Sequence, residues 1–540
     1  MGRAAGPGRA GRPAPGPRRR AGRGRAVRVP GGRRVPSTVA VLFLLVLRAE
    51  GDCVVGQWRL CWVGDGGTPK PVAGSLLSGW EDLTERERAL GFKERQPILI
   101  SPLGRVDPRI SRIFRRSKFA AKSAGTQETY VPDLRLFFTY LWQRGLNWDE
   151  ATADDLADWE EWRLRGEGNP RTIEGAKWGR ELAALRLFYK VAVDHGYMTV
   201  SPVQTRAAVL PGGEVVEIAD LAPTDVRSSN VKWLTGQAYR QFRDVGLGGM
   251  LPDGLEDPSW RGRNDGRDMA YADVVYSSGM RRREAGTLLT AELPVLGDSR
   301  YYSGSIAKGT AKRARRMFYV AHAPLRSLET YRLTTRAQAV RRAQKRGAYE
   351  RIDGIRVIEE VTRQGVVRWS ERGGGLREAH LDKLTDRHRL LMFVRGPGGL
   401  EPAMVWLTET GMPMRYRGWS KTFERASKRC KGLGLGVWAT PHMLRHSMAL
   451  RVLMALHRAL DRRLGLTPAE RRHYEETYGT VWSMVKDLLG HASEETTREI
   501  YLEPLRGLQI ETLLDDEDNP ANEDLLAKLA ARTGLILDAA

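Results

Sequence analysis

Apolar positions recur at helical spacing over a long stretch near the middle of the chain's first half. The run Asp133-Leu-Arg-Leu-Phe-Phe-Thr-Tyr-Leu-Trp142 is amphipathic and stops at Gly145, with Pro132 marking its start or a kink. Thr152 is placed to cap Ala153-Asp-Asp-Leu-Ala-Asp-Trp-Glu-Glu-Trp162, because a threonine oxygen accepts from the free N–H groups of a first helical turn. A longer helix is expected after Asn169-Pro-Arg-Thr172, ending near Asp194 just before Gly196. The spacing predicts a helical domain over 118–205, followed by a linker at 206–228.

From Trp233 to Leu514 the pattern is mixed and mostly helical, with one clear hairpin. Arg300-Tyr-Tyr-Ser-Gly-Ser-Ile-Ala307 and Arg316-Met-Phe-Tyr-Val320 read as strands, and the polar Lys308-Gly-Thr-Ala-Lys-Arg-Ala-Arg315 between them as the turn or tip. Residues 340–400 are charged and carry Gly373-Gly-Gly375, which predicts an insertion with short strands at most. The fold class expected is mainly α with a small β-sheet (α+β): a helical domain followed by a mixed α/β domain at 229–512.

The two ends differ from this body. Met1 to Pro36 mixes Arg, Gly, Pro and Ala with too little apolar surface to offset ordering entropy, so 1–76 is expected to be a disordered basic tail. Within it, Val39-Ala-Val-Leu-Phe-Leu-Leu-Val-Leu47 after the arginines has the outline of a secretory signal, which keeps an exported basic protein as one reading. Leu77 to Leu90 is a candidate amphipathic helix within a possible arm segment at 77–117. Asp515-Asp-Glu-Asp518 opens an acidic tail at 513–540, with one amphipathic helix possible over Leu525 to Leu537.

Composition narrows the functional classes. The 540 residues contain no apolar run approaching the roughly 20 needed to cross a bilayer, so a membrane-spanning protein is not expected. Cys53, Cys61 and Cys430 cannot build a disulfide framework or a CxxC metal site, which fits a reducing compartment. Lys and Arg total 87 against 65 Asp and Glu, a formal charge of +22, which points to a polyanionic partner. Eleven of those arginines lie in residues 1–40, which hold no acid, so the body is only moderately basic.

Three stretches carry candidate chemistry. In Thr440-Pro-His-Met-Leu-Arg-His446, Thr440 and Pro441 read as cap and first residue of a helix, so His442 and Arg445 share a face in its opening turns. A helix N-terminus bearing an imidazole and a guanidinium is suited to a phosphate; a solvated face is the plainer alternative. His442 and His446 have the i,i+4 spacing of a zinc pair, but Met443 stands where a zinc protease needs Glu, and no metal is expected. Ser278-Gly-Met-Arg-Arg-Arg-Glu284 places an arginine just past a predicted helix end, and three consecutive arginines cannot all face one ligand. Leu489-Gly-His491 reads as a helix end followed by a new helix, capped by Ser493 and leading to Tyr501.

Taken together, Gly279-Met-Arg281-Arg-Arg-Glu284, Lys308-Gly, His442-Met-Leu-Arg445-His446 and Leu489-Gly-His491 followed by Tyr501 resemble the ordered boxes of the tyrosine recombinase (phage integrase) family. The resemblance covers residues 118–510 and implies that 118–205 is a core-binding domain and 229–512 the catalytic domain. It implies a site-specific recombinase in which Tyr501 attacks the scissile phosphate, forming a 3′-phosphotyrosyl link and freeing a 5′-hydroxyl without ATP, metal or other cofactor. Arg281 and Arg445 would hold the nonbridging oxygens, His442 and His491 would add hydrogen bonds and assist proton transfer, and Lys308 would protonate the leaving 5′-oxygen. The implied partners are double-stranded DNA and further copies of the chain in a homotetramer on paired sites, with a directionality factor as a further candidate. The implied location is a bacterial cytoplasm, at the nucleoid.

Some features depart from the family pattern. His491 and Tyr501 are 501 − 491 = 10 positions apart, one more than usual, and the intervals from Lys308 to His442 and from Arg445 to His491 are long. Set against the family pattern, the second long interval implies an inserted helical hairpin near 455–480, around Leu464-Gly-Leu-Thr-Pro468. Arg282 and Arg283 stand where apolar or small residues are usual, and Lys312 rivals Lys308. A type IB-like topoisomerase and a DNA-binding regulator without chemistry remain as alternatives.

Overall fold

Helix caps and apolar stripes define the N-terminal half of the computed structural model, which describes residues 56–63, 89, 95–116, 118–209, 215–223, 231–307, 315–371, 374–458, 467–491, 493–498, 500 and 501. The chain divides into two units, Met1–Thr224 and Asp225–Ala540. The apolar run at 39–47, the candidate helix at 77–90 apart from Ala89, both hairpin-tip lysines and the tail at 513–540 lie outside the described residues.

In the first unit, β1 (Arg59–Trp62) pairs antiparallel with β2 (Pro97–Ile100), followed by α1 (Pro108–Arg116), α2 (Ala124–Gln143), α3 (Ala153–Leu164) and α4 (Gly175–Asp194). Pro132 lies inside α2 rather than at its start. Thr152 caps α3: its Oγ1 accepts from the Asp155 N–H at 3.3 Å while the Asp155 carboxylate accepts from the Thr152 N–H at 2.9 Å. The core joins Phe137, Phe138, Trp159, Trp178, Phe188 and Tyr189, with a buried Arg163–Glu181 pair at 2.6 Å.

Two sequence expectations change here. Trp58, Leu99, Ile110, Ile113 and Phe114 belong to that same core, so 56–63 is ordered rather than tail and 97–116 is packed rather than a free arm. The expected linker also contains a hairpin, β3 (Thr205–Val209) with β4 (Val215–Ala219), and Ala219 is buried in the core.

The second unit is built around α5 (Gly236–Gln241), α6 (Asp265–Ser278) and α7 (Arg282–Gly286), then the hairpin β5 (Tyr301–Ala307) and β6 (Arg315–Ala321). Next come α8 (His322–Tyr331) and α9 (Ala337–Lys345). Further helices are α11 (Gly418–Gly432), α12 (Pro441–Arg458), α13 (Pro468–Tyr478) and α14 (Val481–Leu489). Their apolar faces meet in one core that includes Tyr271, Trp406, Trp419, Leu444, Val485 and Tyr501.

Residues 340–400 hold short strands, as expected, but these join into one sheet. They supply β7 (Arg356–Val361), β8 (Val366–Glu371), β9 (Leu376–His380), the short α10 (Asp386–Leu390) and β10 (Met392–Gly396), and β11 (Gly399–Pro402) follows. These form a five-stranded sheet in the order β11-β10-β7-β8-β9, parallel only between β10 and β7. Buried Val367 and Trp369 alternate with exposed Arg368 on β8, the period-2 pattern of a half-buried strand. The charges of this segment pair across strands: Arg368 meets Glu360 at 2.8 Å and Glu378 at 3.1 Å. A buried Arg389–Glu292 pair at 2.6 Å ties this segment to the rest of the unit. Mainly helical with small sheets, the chain is α+β.

Candidate active site

The site is assembled at helix ends. Helix α6 stops because Gly279 takes a left-handed conformation at φ +62°, which lets the chain turn sharply and present Arg281 at the N-cap of α7. There Arg281 donates from its backbone N–H to Glu284 Oε2 at 2.8 Å, from Nη1 to Glu284 Oε1 at 3.1 Å, and from Nη2 to the Gly490 carbonyl at 3.4 Å. Thr440 caps α12, accepting from the Met443 N–H at 3.2 Å, so His442 and Arg445 lie in its first turns. Gly490 ends α14 in the same left-handed way, at φ +66°, and His491 follows directly. Ser493 then accepts from the Thr496 N–H at 3.2 Å, opening the helical residues that lead to Tyr501.

Arg445 is only 1% exposed, and it fastens two of these helix ends together. Its Nη1 donates to the Gly279 carbonyl at 2.6 Å and its Nη2 to the Leu489 carbonyl at 2.7 Å. The two C-terminal turns thereby offer carbonyl oxygens, the negative ends of their helices, to a buried cation. Tyr501 is fully buried and its Oη lies 2.7 Å from His446 Nδ1. The His491 ring lies parallel to the Tyr501 ring at 6.3 Å between centroids, and its Nδ1 is 2.9 Å from Thr497 Oγ1. The His442 and His446 rings meet edge to face at 4.3 Å.

The structure thus brings Arg281, His442, Arg445, His491 and Tyr501 into one cluster, while Lys308 lies outside the described residues, as does Lys312. The altered spacing between His491 and Tyr501 does not remove the tyrosine from that cluster. Of the three consecutive arginines, Arg281 faces it. Arg283 pairs with Asp386 at 2.8 Å, and Arg282 bonds Ser420 and lies over the Tyr416 ring at 5.6 Å.

Three participants have no role in the reading from sequence: Glu284, Arg316 and His446. Arg316, on β6, donates to Glu284 Oε2 at 2.6 Å and to the Leu488 carbonyl at 2.8 Å. Glu284 had a visible signal, an acid at i+3 from Arg281. Arg316 had none, since it reads only as the first residue of the second predicted strand, beside the charged hairpin tip. His446 was visible only as half of an improbable zinc pair.

Cations outnumber anions in this cluster, and that sets its electrostatics. Burial, together with Arg281 and Arg316 as like charges, lowers the Arg445 pKa to about 9, so it stays charged at neutral pH. Burial raises the Glu284 pKa, but Arg316 and Arg281 outweigh it and hold the carboxyl below its usual range. Burial and then Arg445 lower the His442 pKa, while burial, His442, Arg445 and His491 push that of His446 down to about 3. Burial raises the Tyr501 pKa, an effect that Arg445 and Arg281 offset only in part. Among the described residues the cluster therefore holds the Arg281, Arg316 and Arg445 guanidiniums against the Glu284 carboxylate, with neutral His442 and His446 and a protonated phenol at neutral pH. Such a site favours an anion.

Among the described residues, no group of three or more His, Cys, Asp or Glu is arranged to hold a metal ion, and no helix is long and apolar enough to cross a membrane. Cys61 and Cys430 are buried free thiols.

Comparison with known proteins places residues 119–196 in the family model described as phage integrase, N-terminal SAM-like domain. A search of curated proteins finds no match. Among solved structures, the fold resembles XerH site-specific recombinase bound to a palindromic difH substrate, at 12% identity over 75% of this chain and 82% of that one (TM-score 0.39). It also resembles the Tn1549 transposon integrase with circular intermediate DNA, at 12% identity over 73% and 93% (TM-score 0.37). A third likeness is to a lambda integrase dimer bound to a COC′ core site, at 14% identity over 74% and 75% (TM-score 0.35). The segment that matches the phage integrase N-terminal domain thus lies in the helical first unit, ahead of Arg281, His442, Arg445, His491 and Tyr501 in the chain.

Proposed function

We propose that this chain is a site-specific DNA recombinase that cuts and rejoins strands through Tyr501. The observation that carries this reading is the convergence of a buried tyrosine and two arginines from separate segments on one cationic cluster, through the Gly279, Leu489 and Gly490 carbonyls. In the proposed reaction the Tyr501 phenol loses its proton and attacks the scissile phosphorus, the bond to the 5′-oxygen breaks, and a 3′-phosphotyrosyl link stores the bond energy. Attack by a 5′-hydroxyl from another strand reverses the step and releases the tyrosine. Neither direction consumes ATP or requires a metal.

Arg281 and Arg445 would hold the nonbridging oxygens, where negative charge grows in the pentavalent transition state. Their carbonyl and carboxylate partners fix them beforehand, so little reorganisation is left for the reaction itself. His442 and His491 would donate hydrogen bonds to the phosphate or assist proton transfer, and Lys308 would protonate the departing 5′-oxygen. Arg445 is 1% exposed and Tyr501 fully buried, so the scissile phosphate reaches them only when their cover shifts on duplex binding. Recombination joins four strands, which calls for four copies on two paired sites. A directionality factor would bias the outcome, and the setting would be nucleoid DNA in a bacterial cytoplasm.

The test is to incubate the full chain in EDTA with a library of nicked duplexes whose cores are randomised, then denature and recover what stays attached. Wild type should retain a set of related sequences, and Tyr501→Phe none. Retention of DNA by neither, from protein that still binds duplex, would reject strand cleavage.

A further inference from the structure

The phenol of Tyr501 has a partner to which the recombinase reading gives no role. His446 sits one residue beyond Arg445 on α12 and one turn beyond His442, and its Nδ1 lies 2.7 Å from Tyr501 Oη, with the ring centroids 5.5 Å apart. We infer that His446 is the positioning residue for the nucleophile, its Nδ1 accepting the Tyr501 hydroxyl and holding the phenolic oxygen beside the arginine pair. The inference rests on Tyr501 being that nucleophile.

Geometry supports this role. A phenol buried among apolar groups needs a hydrogen-bond partner, and the aromatic ring alone can rotate its hydroxyl away from a target. His446 comes from the helix that also carries Arg445, so one rigid element sets the distance between the attacking oxygen and the guanidinium. The His442 ring packs edge-on against His446 at 4.3 Å and the His491 ring lies parallel to that of Tyr501, which restricts rotation of both partners. The phenol is the stronger donor of the two, so a neutral His446 carries its proton on Nε2 and accepts at Nδ1. Its depressed basicity, caused first by burial, keeps that acceptor free at neutral pH. His446 therefore orients the nucleophile without acting as its base in this arrangement.

The test compares His446→Leu, which removes the acceptor, with His446→Asn, whose Oδ1 stands close to the place of Nδ1. Single-turnover cleavage would be measured on a duplex recovered from the randomised library by wild-type protein. His446→Leu should cleave about a hundred-fold more slowly, the cost of a misplaced reacting group, with duplex affinity unchanged, and His446→Asn should recover most of the rate. A DNA-independent reading comes from Tyr-ring-labelled protein. The Tyr501 Cζ resonance, assigned by its absence in Tyr501→Phe, should move in His446→Leu and return towards its place in His446→Asn. Cleavage by His446→Leu at or above the wild-type rate, or no rescue by a folded His446→Asn, would overturn the role. An unmoved resonance would overturn the hydrogen bond itself. If wild type recovers no duplex, the recombinase reading falls while the resonance still decides the contact.

Discussion

Single side chains determine whether the cluster can do its chemistry. Arg445→Lys keeps a charge but loses the planar fork that spans the Gly279 and Leu489 carbonyls, so cleavage should fall by about 10²–10³-fold while duplex binding changes little. Equal losses in both, measured by adduct formation and by filter binding, would place Arg445 in general DNA affinity instead. His446 makes a prediction about stability. Its folded pKa of about 3 lies below its ordinary 6.5, so between those values the unfolded chain binds a proton that the folded chain refuses. Its contribution is fully present above pH 6.5 and is lost as pH falls towards 3. His442 is shifted in the same direction. From pH 6.5 to 5, wild type should therefore lose more unfolding free energy than His446→Asn, by up to about 1.4 kcal/mol per pH unit. Parallel melting curves for the two proteins would contradict this. At this scale the sequence was most legible where a residue sat at a helix end with its cap in view, as Arg445 does after Thr440-Pro441. The pairing of Arg316 with Glu284 was hidden because a buried ion pair between distant segments leaves no mark in local spacing.

Elements set where those side chains stand, and two glycine-terminated helices matter most. Gly279 holds φ +62°, and an added Cβ would lie 3.1 Å from the Met448 side chain. Gly279→Ala should cost about 1–2 kcal/mol in urea unfolding and also slow cleavage, because the displaced carbonyl is an acceptor for Arg445. Unchanged stability would mean that the turn relaxes freely. The five-stranded sheet shows what the sequence concealed. Its strands are only four to six residues long, and β9, Leu-Arg-Glu-Ala-His, has no apolar alternation, since its place is fixed by ladder bonds and the ion pairs from Arg368. Helices α2 to α4 were readable because their caps and apolar spacing agree locally. Glu292→Gln would leave the buried Arg389 charge without its carboxylate, and should cost about 3–5 kcal/mol in thermal or urea unfolding. A loss under 1 kcal/mol would show that the 340–400 segment is held by packing alone.

The whole molecule consists of two units, each with its own buried core. Residues 56–224, expressed alone, should therefore unfold cooperatively with a helical circular dichroism signal; a gradual, non-cooperative melt would contradict an independent domain. Their start at 56 rather than 118 could not be read from the sequence, because Trp58, Leu99 and Ile113 are scattered single apolar residues until the fold brings them together. The covalent role of Tyr501 is the claim on which the functional account turns. Its most direct measurement is mass spectrometric mapping of the DNA adduct, formed in EDTA by the full chain on a recovered duplex and trimmed to a nucleotide remnant. The account predicts one modified peptide, carrying the remnant on Tyr501 through its 3′-phosphate. A remnant on another residue, or linkage through a 5′-phosphate, would contradict it.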